Sequence, residues 1–427
     1  MLVASRPIAD NARIFAPLLP PAWMQPLHGN IRHRHFDPSA TFWAWTDQIL
    51  DGNASCSKAV SRVQAWCVEK RRPVPSGATG AYCMARQRLD DGFLHSLHER
   101  ITRTVTRRHR TADLWHGMAV KSIDGSSVQL MDTSDNQASF PQSSGQKPGC
   151  GFPIMAIAGV LDLSSGCWLG MASAPAHTHD TRLAARLLQH FGQGDLALAD
   201  RAFNSYELVA SLGQRGAHSL MRLHAARHRT LDWRKGRKIG PNERLVEWRK
   251  PAARPTGSPL DDAQWQALPD ILTLRLIRFH YENRAGEKAR MVLVTTLTDP
   301  ATHDWVELAD LYARRWDIEL KLRDLKTTLR LERFEVRPPG MARKTLLMVM
   351  IAHNLIRGML QSAAIGEGLP VEALSFKGGL DLLLVWKDQG YREGATLRIA
   401  RDNTIFDEFR AIDFRDVIGH AKKPSEK

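Results

Sequence analysis

The chain has 427 residues, 43% of them hydrophobic, which is enough for two or three domains with sizeable cores. Lys and Arg outnumber Asp and Glu 59 to 45, a formal net charge of +14; such an excess attracts polyanions, nucleic acid first, the plain alternative being a basic enzyme with no such partner. The five cysteines (Cys56, Cys67, Cys83, Cys150 and Cys167) form no CxxC pair, which favours reduced thiols in a cytosolic chain and argues against a zinc ribbon.

Met1 to Pro26 is broken by prolines and holds no clean apolar run, so neither a signal peptide nor a membrane span is expected. Residues 1–112 then read as a mostly helical N-terminal region. Helices are expected over Ala40–Leu50, Cys56–Arg71, Ala78–Leu89 and Phe93–Arg110. In the last of these, Leu94, Leu97, Ile101 and Val105 share one face, while Arg100, Arg103, Arg107 and Arg110 share the opposite one. That basic face suits a DNA backbone or is simply a solvated face of a bundle helix. The Arg-His-Arg-His stretch with His33 and His35 reads as a basic segment, not a site.

The pattern changes after Leu114. Met118–Ile123 alternates like a strand and ends in Asp124-Gly125. Phe152–Leu163, the turn Ser164-Ser165-Gly166 and Cys167–Ser173 read as a hairpin. A helix follows over Thr181–Phe191 with Asp180 as its N-cap, then a short buried strand, Leu196–Ala199, ending in Asp200. Tyr206–Leu212 reads as a helix and His218–Leu223 as a strand. The order predicts an α/β architecture, a mixed sheet flanked by helices, over 113–224 and 291–360. Residues 225–290, rich in Arg, Lys, Pro and Gly, interrupt it as a β-rich insertion with strands near Leu245–Trp248 and Leu272–Tyr281. Met291–Leu297 returns to a core strand. Residues 361–427 read as a helical region with a loose basic tail.

Trp305–Leu331 is expected to be one long helix. On it, Tyr312, Arg315, Glu319 and Lys326 are spaced by three, four and seven. At about 100° per residue they fall within roughly 60° of one face, beside an apolar stripe of Leu311, Ile318, Leu322, Leu325 and Leu329. A carboxylate flanked by cations at a buried margin suits metal binding among groups that grip phosphate.

Asp124 and Asp200 at strand ends and Glu319 on the helix make three carboxylates where an open sheet gathers ligands. Mutually repelling carboxylates are poor structural partners and good ligands for Mg²⁺. Two such ions activate an attacking oxygen and stabilise the departing one in phosphoryl transfer. Each residue also has an ordinary reading: Asp124-Gly125 as a turn, Asp200 as a helix cap, Glu319 as a helix ion-pair partner of Arg315 or Arg323. His177 and His179, as His-Thr-His, offer metal ligands or, the favoured reading, are loop residues before a helix. Ser126 and Ser127 lack a histidine at a recognisable spacing, and Gly145–Gly151 matches no phosphate loop.

Tyr312–Lys326, YARRWDIELKLRDLK, resembles the Y-(2)-R-(3)-E-(6)-K signature of the insertion-sequence-four family of bacterial DDE transposases. The stretches SIDGSS and LADRAFNSYE resemble the family's two Asp motifs and place them at Asp124 and Asp200; NQASFPQSSGQKPGCGFP, Asn136–Pro153, is similar as well. The resemblance runs from Ser122 to Arg357. It implies an RNase H-like fold with a β-rich insertion, and two Mg²⁺ ions (with Mn²⁺ as a substitute) held by Asp124, Asp200 and Glu319. It implies cleavage at terminal inverted repeats and strand transfer into target DNA, by a dimer on paired ends, with no membrane partner. Tyr312, Arg315 and Lys326 would contact phosphates near the cleaved end. Where some members carry a base-stacking Trp, this chain has Met291. The competing expectations are an RNase H-like nuclease or integrase that mobilises no element, and a catalytically silent DNA-binding descendant.

Overall fold

In the computed structural model, residues 7–28, 35–108, 113–147, 149–282 and 288–389 are described. The chain opens with five helices: α1 (Pro7–Ile14), α2 (Pro38–Leu50), α3 (Cys56–Glu69), α4 (Gly80–Arg88) and α5 (Asp91–Thr106). Three begin at side-chain caps. Asp37, Ser55 and Asp90 accept from the backbone N–H groups of Ala40, Lys58 and Phe93, satisfying donors that a helix start leaves open. Leu94, Leu97, Ile101 and Val105 are buried as their spacing predicts.

The remaining elements are β1 (Ala119–Leu130), α6 (Ser134–Ser139), β2 (Ile154–Asp162), β3 (Cys167–Pro175), α7 (Asp180–Ala185), β4 (Asp195–Ala199), α8 (Tyr206–Gln214), β5 (His218–Arg222) and α9 (Ala225–Thr230). Then come β6 (Arg237–Gly240), β7 (Glu243–Arg249), α10 (Asp262–Gln266), β8 (Ile271–Glu282), β9 (Lys288–Thr295), α11 (Trp305–Ala313), α12 (Trp316–Arg323), β10 (Arg333–Phe334), α13 (Pro339–Gly366) and α14 (Phe376–Gln389). The strands form one sheet in the order β3-β2-β1-β4-β5-β9-β8-β7-β6, with β10 beside β1. β1 and β2 pair antiparallel, as do β2 and β3, whereas β1, β4 and β5 run parallel. This is an α/β fold, and its 3-2-1-4-5 half with those directions is RNase H-like.

Several expectations are corrected here. β1 does not stop at Asp124-Gly125: Asp124 pairs with Gly159 and Gly125 with Ala158, and the strand continues to Leu130. Long-range pairing overrides the turn tendency of Asp-Gly. Asp180 is the first residue of α7, and His179 occupies the cap position. The helix expected over Thr181–Phe191 is only α7 plus a short 3₁₀ turn, Leu188–His190. As expected of Met291–Leu297, β9 returns to the core beside β5, and it carries β8, β7 and β6 outward in the same sheet. His33, Arg110 and the tail from residue 390 onward lie outside the described residues.

Side chains alternate across the sheet with period two. Val120, Val128, Leu198 and Leu220 enter a core shared with α2, α5 and α13. Ile123, Ala199 and Met221 enter a second core with α7 and α8. Even-numbered positions of β1 thus face the helices that carry the signature. Among the described residues one helix, α13, is long and apolar enough to cross a membrane, but 83% of its most apolar window is buried inside the protein. It is a core helix. Asn354 on it bonds Trp168 of β3 and Thr102 of α5.

Candidate active site

Asp124 projects from the interior of β1. Its Oδ1 accepts from the Gly125 N–H at 2.8 Å, and its Oδ2 lies 3.9 Å from Arg315 Nη1. Burial pushes its carboxyl up to about 6; the Gly125 N–H and Arg315 oppose this, while Glu319 and Asp200 add to it. Two further carboxylates therefore act on Asp124 through a poorly solvated space.

Asp200 directly follows β4. It stands at the start of a short 3₁₀ turn, Arg201–Phe203, yet makes no side-chain capping bond. The cap of α8 is Ser205, whose hydroxyl accepts from Leu208 N–H. The cap reading of Asp200 is thus set aside, and its charge acts on Asp124, Tyr312 and Arg315. Glu319 lies on α12 with its side chain 39% exposed, its Oε1 accepting from Arg315 Nη2 at 3.1 Å.

The signature does not ride on one continuous helix. At Arg314 and Arg315 the backbone tightens to i→i−3 bonds, Arg314 N–H to Leu311 O and Arg315 N–H to Tyr312 O, which ends α11 and restarts the chain as α12. Tyr312 is in the last turn of α11, Arg315 at the junction, Glu319 on α12, and Lys326 in a π-helical turn, Asp324–Thr328. The single-helix expectation is corrected, and so is any placement of Lys326 by a 3.6-residue period.

Within this arrangement Tyr312 is buried, and burial raises its hydroxyl pKa. Arg315 is 7% exposed, and its buried Nε has no hydrogen-bond partner. Its guanidinium lies 5.9 Å from the Tyr312 ring and 5.1 Å from the half-exposed Trp316. Lys326 is half-buried. Lys321, which sequence reasoning passed over, is buried and pairs with Asp324 at 3.5 Å. Burial lowers its ammonium to about 8.

The donor set suits a hard divalent cation, being oxygen throughout. As placed, however, no three Asp, Glu, His or Cys groups among the described residues are gathered closely enough to hold an ion. The reason is visible: the Arg315 guanidinium reaches toward both Asp124 and Glu319 and supplies the positive charge between them. By their donor chemistry, the three carboxylates fit a metal.

Other candidates fall away from this centre. His177 and His179 are exposed loop residues. His35 bonds the Pro73 carbonyl at 3.0 Å. Among the described residues no hydrogen bond joins Ser126 or Ser127 to a histidine. On α5, Arg103 pairs with Glu99, Arg100 stacks 5.6 Å from Trp23, and Arg107 is the C-cap. All three are exposed. Two further residues lie near the centre: Asp180, expected from sequence as a helix cap and a fallback ligand should Asp200 fail, and Arg222, which was not anticipated. Asp180 packs against Gly125, where an added Cβ would stand 3.3 Å from its Oδ1. Arg222, at the end of β5, acts on Tyr312; its position on the strand after Asp200 was the available signal. Met291 on β9 faces Phe279 of β8.

Residues 115–355 match a family model described as a transposase DDE domain. Over 392 residues the chain is 26% identical to the transposase InsG for insertion sequence element IS4 of Escherichia coli (strain K12), covering 87% of this chain and 81% of that protein. A putative transposase InsZ of the same organism is 23% identical over 214 residues, 49% of this chain and 70% of that one. A cryo-EM structure of a piggyBac transposase synaptic complex with hairpin DNA gives a TM-score of 0.46 at 11% identity, covering 100% of this chain and 86% of that one.

Proposed function

The chain belongs to the transposase DDE domain family, and from that premise we propose that it excises and inserts its own insertion sequence, acting on double-stranded DNA at the element's terminal inverted repeats. Transposases of this family cleave DNA and transfer strands, and generally use divalent metal ions. The observation that carries the reading is the mutual electrostatic reach of Asp124, Asp200 and Glu319 around one buried arginine.

In this reading Asp124, Asp200 and Glu319 would hold two Mg²⁺ ions, or Mn²⁺ in their place, which when bound would activate the attacking oxygen and stabilise the leaving one. Arg315, displaced from the carboxylates, is well shaped for bidentate contact with a DNA phosphate, and Lys326 acts as a point charge. Tyr312, buried beneath Arg315, orients it. The division of labour follows the chain: residues 1–112 bind DNA, with Arg100, Arg103, Arg107 and Arg110 as phosphate contacts. Residues 113–224 and 291–360 carry out catalysis, 225–290 form an insertion, and 361–427 a C-terminal region. A dimer would pair the two ends in the bacterial cytoplasm.

The test is metal-dependent cleavage of a duplex carrying the DNA that flanks the gene. Asp124→Asn, Asp200→Asn and Glu319→Gln should each abolish cleavage while leaving binding of that duplex intact. Cleavage by Asp200→Asn at the native rate over a range of Mg²⁺ concentrations would remove Asp200 from the site.

A further inference from the structure

The edge of the sheet that presents Asp200 continues into a row of arginines. β5, the next parallel strand, ends in Arg222. The Arg222 charge acts on Tyr312 of the signature and also on His228 of α9, on which Arg290 of β9 acts as well. Arg290 faces His280 across β8, Arg278 faces Val292, and Arg244 of β7 faces Leu276. Period two therefore puts Arg244, Arg278 and Arg290 on one face of the sheet, at the end where Arg222 emerges from the other.

Two of these groups, Arg244 and Arg278, are held in place. The Arg278 and Arg244 guanidinium carbons lie 4.4 and 5.3 Å from the Trp233 ring centroid. Arg244 also donates to the carbonyls of Trp233 and Glu243, at 3.1 and 2.8 Å. Arg222, Arg244 and Arg278 are half-buried. Yet among the described residues none of Arg222, Arg244, Arg278 or Arg290 forms an ion pair with a carboxylate. The nearby acids are otherwise engaged: Asp232 pairs with Arg234, and Glu243 with Arg275. Among the described residues these four positive charges thus stand without a paired carboxylate and repel one another, whereas a solvated face would have interspersed acids.

We infer that Arg222, Arg244, Arg278 and Arg290 form a phosphate-binding track for the backbone of a DNA duplex, leading from the three carboxylates around the end of β5 onto the inserted strands. The inference rests on the reading of the chain as a DNA-acting enzyme and adds the path the duplex takes. Continuity with Tyr312 and the regular backbone charge of a duplex favour that occupant. Arg278, stacked on the indole, keeps its planar fork for phosphate, while Arg244 spends its Nε and Nη1 on carbonyls and offers its Nη2.

The experiment uses the full chain and a labelled random-sequence DNA duplex, with binding measured over a series of salt concentrations. Each phosphate contact removed should lower the salt slope by about 0.9. Arg222→Gln with Arg290→Gln should therefore lower it by about 1.8 and weaken binding several-fold at low salt, with an unchanged melting temperature. Adding Arg278→Gln should lower the slope again. Should that variant unfold, Arg290→Gln alone decides, because its side chain is exposed and supports no core. If the native chain binds and cleaves DNA but the double variant keeps the native slope, the track is wrong and the enzymatic reading stands. If the native chain binds no duplex at any salt concentration, both fall together.

Discussion

Arg315 Nη2 lies 3.1 Å from Glu319 Oε1, one turn along α12, and the same guanidinium reaches to 3.9 Å from Asp124. The arginine stands where a cation would relieve the repulsion among carboxylates drawn from β1, the end of β4 and α12. The site therefore carries an internal counter-charge.

Asp124→Asn should stabilise the fold at neutral pH while abolishing cleavage. Burial raises the Asp124 carboxyl from 3.8 to about 6. Between those values the folded chain holds a proton that the unfolded chain has released, so stability falls as pH rises through that window. The amide removes this cost, of the order of 2 kcal/mol at pH above 6, and keeps an oxygen for the Gly125 N–H. Melting temperatures of both proteins in EDTA at pH 7.5 and near pH 4 check it. The gain should be present at the higher pH and gone at the lower. A destabilised variant at pH 7.5 would contradict the assignment of the shift to burial.

The same shift sets a pH profile. Metal ligands must be deprotonated, so proton and metal compete for Asp124. Single-turnover cleavage should rise from pH 5 to 7 with a midpoint near 6, the folded value for Asp124, and higher Mg²⁺ should move the midpoint down. A midpoint that does not respond to Mg²⁺ would place the titrating group elsewhere.

How much of this the sequence disclosed depended on the range of the interaction. The pairing of Arg315 with Glu319 was legible because their spacing is local. So was the burial of Leu94, Leu97, Ile101 and Val105. The break at Arg314-Arg315 was not, since neither Pro nor Gly marks it and the backbone simply tightens to i→i−3 bonds. Asp124-Gly125 misled for the opposite reason: a strong local turn signal is overridden by pairing with β2, whose partners lie some thirty-five residues on, at Gly159 and Ala158. The joining of β9 to β5 is likewise a pairing between distant segments. Nor does spacing on a helix reveal that Arg315 lies between two carboxylates, because Asp124 reaches it from another element.

Asn354→Ala should test whether the N-terminal helices and the sheet fold as one unit. Its side chain accepts from Trp168 N–H at 3.0 Å and donates to Trp168 O at 2.8 Å and to Thr102 Oγ1 at 2.9 Å. It thus ties α13, β3 and α5 inside a shared core. Removing it leaves the buried Trp168 N–H without its Asn354 partner, at about 1–3 kcal/mol, and strips one of two bonds from the Trp168 carbonyl, which His98 still meets. Urea unfolding should lose about 2–4 kcal/mol in a single transition. Two separated transitions, with only one displaced, would show that the helices and sheet unfold independently.

Arg315 offers the sharpest separation of roles. As counter-charge, it stabilises the metal-free protein; as phosphate ligand, it acts only with DNA bound. Arg315→Ala should therefore lower the metal-free melting temperature at pH 7.5, because Asp124 and Glu319 lose the cation that Arg315 supplies. Removing one partner of a buried ion pair costs about 3–5 kcal/mol, less here because Glu319 is partly exposed and solvent screens it. Added Mg²⁺ should restore more stability to Arg315→Ala than to the native chain, since the ion meets less competition. Arg315→Lys should keep most of the metal-free stability and yet cleave poorly, because a lysine cannot match the planar two-point contact with phosphate. Melting temperatures with and without Mg²⁺, together with binding and cleavage of flanking DNA, separate the outcomes. If Arg315→Lys cleaves at the native rate, the guanidinium serves only as a counter-charge and leaves the DNA-contact set. If Mg²⁺ stabilises native protein and Arg315→Ala equally, Arg315 does not compete with the metal.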